Sequence, residues 1–182
     1  FKDIILDPKE LEFFLTHVCN NAWNIQQDAG RTIDEAENEI ILKFPNYKKQ
    51  IKMYYSNHRR MIKGVFLDSI EVLNQLKSAN YYCYVLSNWS AETFKGMKDE
   101  YAFLNQFDGM IISGEDKLIK PNSAIYQLAI NRFDLDPETT VFIDDKLENV
   151  QAAKKNGFKI IHLIDPTKIK KEINFFLENK LK

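Results

Sequence analysis

The sequence predicts an α/β fold: a doubly wound, Rossmann-like parallel sheet core with an all-helical cap. Three observations carry this. Helical periodicity alone runs through residues 1–62. After Gly64, short apolar runs alternate with amphipathic segments. Polar and charged residues directly follow those runs, where a doubly wound sheet presents its strand ends to a ligand. The domains read as residues 1–62 for the cap and 63–182 for the core.

The helical part comes first. Asp7-Pro8-Lys9-Glu10 reads as a helix start, with Asp7 capping and Pro8 at the first helical position. Leu11, Phe14, Leu15 and Val18 then share one face. Gly30 breaks the next stretch. Thr32-Ile33-Asp34-Glu35 is a capping box that opens a helix with Ile33, Ala36, Ile40 and Ile41 on its apolar side, and Pro45 ends it. A further helix is expected from about Asn46 to Ile62, with Tyr47, Ile51, Tyr54, Tyr55 and His58 on its stripe. Asp68 is expected to cap a helix over Ser69–Ser78. The apolar runs Tyr81–Leu86, Gly109–Ile112, Thr139–Ile143 and Phe158–Ile164 lack alternation, as in parallel strands covered on both faces. Amphipathic segments lie between them near 90–100, 122–133 and 146–156. Near the end, Ile169, Ile173, Phe176 and Leu177 mark a terminal helix that packs on the sheet. His58, Arg59, Arg60 and Lys63 read as a solvated, basic helix end.

Composition narrows the function classes. The chain has 182 residues, 45% hydrophobic, 28% charged and 13% aromatic, the mix of a protein with a real core. Lysine plus arginine is 25 and aspartate plus glutamate is 26, for a net charge of −1. Nucleic-acid and membrane-surface binders need a dense positive field, so neither partner is expected. The expected partner is a small molecule, with the protein a monomer or homodimer. Two cysteines, Cys19 and Cys83, suit a reducing cytoplasm rather than a disulfide framework. No apolar run approaches the ~18 residues of a membrane span.

The strand ends carry the chemistry. Ser87 and Asn88 follow the first run, Ser113 and Gly114 the second, and Asp144 and Asp145 the third, with Lys120-Pro121 between. Adjacent carboxylates repel each other, and a divalent cation removes that cost. Magnesium suits such a pair because it keeps several waters. Alternatively the two aspartates cap the next helix. Ser87-Asn88 offers hydroxyl, amide and backbone N–H groups to a phosphoryl oxygen, or serves as an ordinary helix N-cap. Lys120 is a point charge suited to phosphate or to a carboxylate nucleophile, or a solvated lysine.

Taken together, these residues resemble the haloacid dehalogenase-like hydrolase superfamily, in particular its phosphatase-like members with a helical cap. Leu86-Ser87-Asn88-Trp89-Ser90 resembles the second signature motif, Lys120-Pro121 the third and Val141-Phe142-Ile143-Asp144-Asp145 the fourth. Glu148 to Ala153 and Gly157 fit the family pattern beyond it. The resemblance implies that Ser87, Asn88 and Lys120 bind the transferring phosphoryl group, with Lys120 also steadying an aspartyl nucleophile. It implies that Asp144 and Asp145 hold Mg2+. Trp23, Gln27, Asp28 and Arg31 of the cap, with Trp89, are the candidate substrate contacts. The implied reaction hydrolyses a small phosphomonoester, a phosphorylated metabolite, through an aspartyl-phosphate.

The first family motif, a strand ending in Asp-x-Asp, precedes the cap in such proteins and is not found before it here. The chain opens on Phe1, so the expectation is an upstream segment of about 20 residues carrying the nucleophile, and no turnover by residues 1–182 alone. Two alternatives stand beside the phosphatase. A metal-independent 2-haloacid dehalogenase keeps Ser-Asn and Lys but gains nothing from adjacent aspartates. A non-catalytic protein keeps the fold for binding.

Overall fold

The computed structural model describes residues 5–180; Phe1, Leu181 and Lys182 lie outside them. Contacts divide the chain into two units. One holds the helical segment through Lys63 with Asn88–Lys95 and Ile112–Lys117, the other Gly64–Ser87, Gly96–Ile111 and Leu118–Lys182.

In the helical unit, α1 (Pro8–Phe13) begins as its sequence dictates, with the Asp7 side chain accepting from the Lys9 N–H. It continues as a π-helical turn, Phe14–Val18, which sequence periodicity does not show. α2 (Asn21–Asp28) is capped by Asn20, and α3 (Ile33–Lys43) has both halves of the Thr32/Glu35 capping box. The long helix expected over 46–62 is broken into α4 (Lys48–Ser56) and α5 (His58–Met61). Phe14, Val18, Trp23, Ala36, Ile40, Ile51 and Tyr55 form one apolar core. Trp23 packs on Tyr54 and Tyr55 with ring centroids 5.6 and 5.4 Å away, and its Nε1–H donates to the Ala36 carbonyl. Cys19 is buried there, and burial followed by the Glu37 charge pushes its thiol up to about 12, an inert value. The basic cluster is less solvated than expected. His58 and Arg59 are half-buried, His58 edge-on to Trp89 and Arg59 donating to the Lys95 carbonyl.

The α/β unit opens with α6 (Leu67–Ser78). Asp68 lies inside its first turn rather than at the N-cap, which is Phe66. There it still complements the helix dipole, and it pairs with Lys170 at 3.0 Å. α6 ends in a Schellman motif: Asn80 adopts φ 61°, and the Tyr81 N–H bonds the Leu76 carbonyl. That turn uses residues expected to be strand, so β1 is Tyr84–Ser87 and Tyr81 and Tyr82 are exposed. The short helices α7 (Ala91–Phe94) and α8 (Met97–Glu100) lead to β2 (Gly109–Ile112), then α9 (Ser113–Asp116) and α10 (Ser123–Phe133). β3 (Val141–Asp144), α11 (Leu147–Lys155), β4 (Lys159–His162) and α12 (Ile169–Lys180) complete the chain.

The strands form two pairs rather than one continuous sheet: β1 with β2, and β3 with β4. β3 and β4 are parallel, with Phe142 opposite Ile160 and Ile143 opposite Ile161. Successive side chains point to opposite faces, and helices cover both. Phe142 and Ile160 join Ile125, Tyr126, Val150 and Phe158 on the α10–α11 side. Val141, Ile143 and Ile161 join Val72, Ile169 and Ile173 on the α6–α12 side. That burial explains why these runs read as apolar without alternation. Among the described residues no helix is long and apolar enough to cross a membrane.

Candidate active site

A buried polar cluster lies at the carboxyl end of β3. Phe142 points into the core, so Asp144, two residues on, leaves the strand on the same side. The loop after Lys117, itself at φ 56°, carries Lys120 to it. Lys120 Nζ donates to Asp144 Oδ2 at 2.7 Å and to the Leu86 carbonyl of β1 at 2.6 Å. One side chain thereby bridges the ends of β1 and β3, which share no ladder. The two side chains are 9% and 6% exposed, so this is a buried ion pair. The ammonium also sits 5.5 Å from the centre of the Phe142 ring.

Asp144 is held on its other oxygen as well. Oδ1 accepts from the Lys146 N–H and from Asn149 Nδ2, both at 2.9 Å. Asn149 is buried, and the Tyr126 hydroxyl donates to its carbonyl at 2.9 Å. Burial pushes the Tyr126 phenol up, so it stays a donor. Burial also pushes the Asp144 carboxyl up. The hydrogen bond and charge of Lys120, with the Lys146 and Asn149 donors, outweigh it and hold the group below the usual carboxylate range. Asn149 did not figure among the expected site residues. Its signal was its place, in the first turns of the helix that follows the aspartates.

Asp145 is exposed, and its carbonyl is 3.0 Å from His162 Nε2. Asp144 and Asp145 both line a cavity of about 390 Å³ walled by Phe66, Ile143, Leu163, Ile164 and Pro166. Three donors on the roughly four acceptor positions of the Asp144 carboxylate leave one open. Among the described residues no larger cluster of His, Cys, Asp and Glu forms a metal site. Two carboxylates facing one cavity fit magnesium, which takes one or two and keeps its waters.

Ser87 ends β1, and the chain then runs through Asn88 to Trp89. The Trp89 N–H donates to Ser113 Oγ at 2.9 Å, its carbonyl accepts from the Gly114 N–H at 3.0 Å, and its indole donates to Thr93 Oγ1 at 2.9 Å. The cap candidates gather separately. Trp23 and Gln27 are 5% and 1% exposed, inside the helical unit. Arg31 donates to Gln27 Oε1, to the Trp23 carbonyl and to Glu39. Asp28 is half-buried beside them on α2.

A sesquiterpene phosphatase of Aspergillus oryzae is 32% identical over 94 residues, 52% of this chain and 48% of that protein. An (S)-2-haloacid dehalogenase of Burkholderia cepacia is 28% identical over 100 residues, 55% of this chain and 43% of that one. The chain thus spans about half the length of these curated relatives. Among solved structures, a HAD family enzyme of Bacteroides thetaiotaomicron superposes with a TM-score of 0.68 at 23% identity, covering 88% of this chain and 80% of that one. The same enzyme in complex with magnesium and inorganic phosphate gives 0.66 at 24%, covering 88% and 81%. At these identities the superpositions show a shared fold. The family model described as haloacid dehalogenase-like hydrolase matches residues 9–163, most of the sequence, and the chain belongs to that family.

Proposed function

We propose that this chain provides the helical cap, residues 1–62, and most of the doubly wound core, residues 63–182, of a magnesium-dependent phosphatase acting on a small phosphomonoester. The observation that carries the reading is the buried Lys120–Asp144 pair beside a second, exposed aspartate at the strand ends. A dehalogenation that needs no metal gives adjacent carboxylates no task. The name of the sesquiterpene phosphatase and the magnesium and phosphate in the superposed enzyme favour the same reading.

Asp144 and Asp145 would hold the magnesium, which would supply charge neutralisation at the phosphoryl oxygens. Lys120 places a positive charge where the phosphoryl group and an attacking carboxylate would meet, and Asp144 fixes its ammonium. Ser87 and Asn88 offer hydroxyl, amide and backbone donors to the phosphoryl oxygens. Asn149, through Nδ2, orients Asp144. The attacking carboxylate has no assigned residue in this sequence, so the activity is proposed for the natural full-length protein. The helical unit is proposed to choose the leaving group. Asp28, Arg31 and Trp89 are its candidate contacts, and the buried Trp23 and Gln27 shape it from inside.

The test is hydrolysis of p-nitrophenyl phosphate by the full-length protein with magnesium and with EDTA. Magnesium-dependent release of phosphate is expected, and Asp144→Asn should remove most of it. Equal rates for variant and parent would sink the metal assignment. Chloride release from a 2-haloacid that persists in EDTA would replace the phosphatase by the dehalogenase, to which the Burkholderia relative is named.

A further inference from the structure

The segment leaving β1 is held by a device the reaction itself does not explain. The Asn88–Trp89 peptide donates its N–H to Ser113 Oγ at 2.9 Å. The next peptide, Trp89–Ser90, gives its carbonyl to the Gly114 N–H at 3.0 Å. Two consecutive peptide planes are thus fixed by two consecutive residues of another segment. Ser113 is fully buried. Gly114 admits no side chain, since a Cβ there would lie 2.8 Å from the Trp89 carbonyl oxygen. The Trp89 ring is fixed as well, by Thr93 Oγ1 at 2.9 Å and by Phe94 and His58 at centroid distances of 5.7 and 6.0 Å. Both polar groups of the Trp89 backbone are thereby taken up by one segment, and its side chain is held in addition.

We infer that Ser113 and Gly114 are positioning residues for the phosphate-binding segment. They fix the peptide planes on the far side of Asn88, and so set where the Ser87 and Asn88 donors are held. The inference rests on the phosphatase reading for the role of Ser87 and Asn88, while the clamp itself stands apart from it. A preorganised donor set acts on a phosphoryl group without reorganising at the moment of reaction, and loosening it weakens every donor that the segment carries.

The experiment uses the full-length protein and three variants, Ser113→Ala, Ser113→Thr and Gly114→Ala. The readouts are p-nitrophenyl phosphate kinetics, inhibition by inorganic phosphate, thermal midpoint, and amide exchange at Trp89. Ser113→Ala should lower kcat by about tenfold, weaken phosphate inhibition by a similar factor, and speed Trp89 exchange by about tenfold. Exchange in β2 should not change. Ser113→Thr, which keeps the hydroxyl, should recover most of the loss. Gly114→Ala should reproduce it with the hydroxyl intact, by crowding the Trp89 carbonyl. The inference is overturned if folded Ser113→Ala shows parent exchange at Trp89, or faster exchange with parent kcat and parent phosphate inhibition. It is overturned equally if Ala and Thr lose activity only in proportion to lost folded protein. A parent that neither hydrolyses the ester nor binds phosphate would instead end the phosphatase reading, and the Trp89 exchange rates would still decide the clamp.

Discussion

The helical unit and the α/β unit both bury polar side chains, and they do it in different ways. In the helical unit Gln27, 1% exposed, donates to the Tyr55 hydroxyl, which donates in turn to Asn24. These groups are neutral, and the buried carboxylate of Glu37 pairs with the exposed Lys52 at 2.6 Å. In the α/β unit both partners of an ion pair go inside: Lys120 and Asp144 meet at 2.7 Å with side chains 9% and 6% exposed. A neutral, satisfied network fixes how helices pack at little net cost. A buried ion pair is a poor stabiliser compared with apolar residues of the same volume, so the proposed chemistry accounts for its place at the strand ends better than stability does.

That contrast can be broken from either side. The largest effect belongs to Asp144→Asn, expected to lower magnesium-dependent turnover by at least about a hundredfold while leaving a hydrogen-bond acceptor for Lys120. Steady-state kinetics on the full-length protein checks it. Next comes Lys120→Met, which keeps the stem against Phe142 but strands the Asp144 charge. Urea unfolding at pH 7 should show a loss of about 3–5 kcal/mol. The pH dependence sharpens this. In the parent the Asp144 carboxyl lies below its unfolded value of about 3.9. Its contribution is therefore present above that value and lost as pH falls through the folded one. Without Lys120 burial dominates and raises the carboxyl, so the deficit of the variant should shrink on acidification. A deficit that is flat between pH 7 and pH 4 would contradict the assignment.

In the helical unit, Tyr55→Phe removes the hydroxyl between Gln27 and Asn24. It should cost about 1–3 kcal/mol, read by the same unfolding curves, with kcat unchanged. A fall in kcat at equal stability would mean that this network serves the substrate after all. The smallest effect is expected from Glu39→Gln, whose exposed partnership with Arg31 and Lys43 should leave the unfolding midpoint unchanged within error.

Much of this was legible from residues in order. Asp7, Thr32 and Glu35 specify helix starts through bonds that span only two or three positions, and the structure has them. The apolar runs ending in Leu86, Ile112 and Ile143 mark the strands because burial on both faces leaves no polar alternation. Local rules failed where a distant partner decided. Asp68 has the composition of an N-cap, yet the helix begins two residues earlier and the carboxylate goes to Lys170, far along the chain. Tyr81 and Tyr82 have strand propensity, yet the Schellman turn of α6 takes the backbone first. His58 and Arg59 look like a solvated helix end until Trp89 and the Lys95 carbonyl are placed beside them.

The sequence by itself determined the class of fold, the order of the strands along the chain, and which residue types stand at their ends. Those follow from periodicity and from the side chains adjacent to each run, and both are local. Only the tertiary structure decided that Lys120 joins Asp144 to the Leu86 carbonyl, that Asn149 turns back onto the same carboxylate, and that Ser113 and Gly114 grip the Trp89 peptide. Each of those bonds links segments separated by loops whose course no short-range rule specifies, and burial then makes the few available partners obligatory.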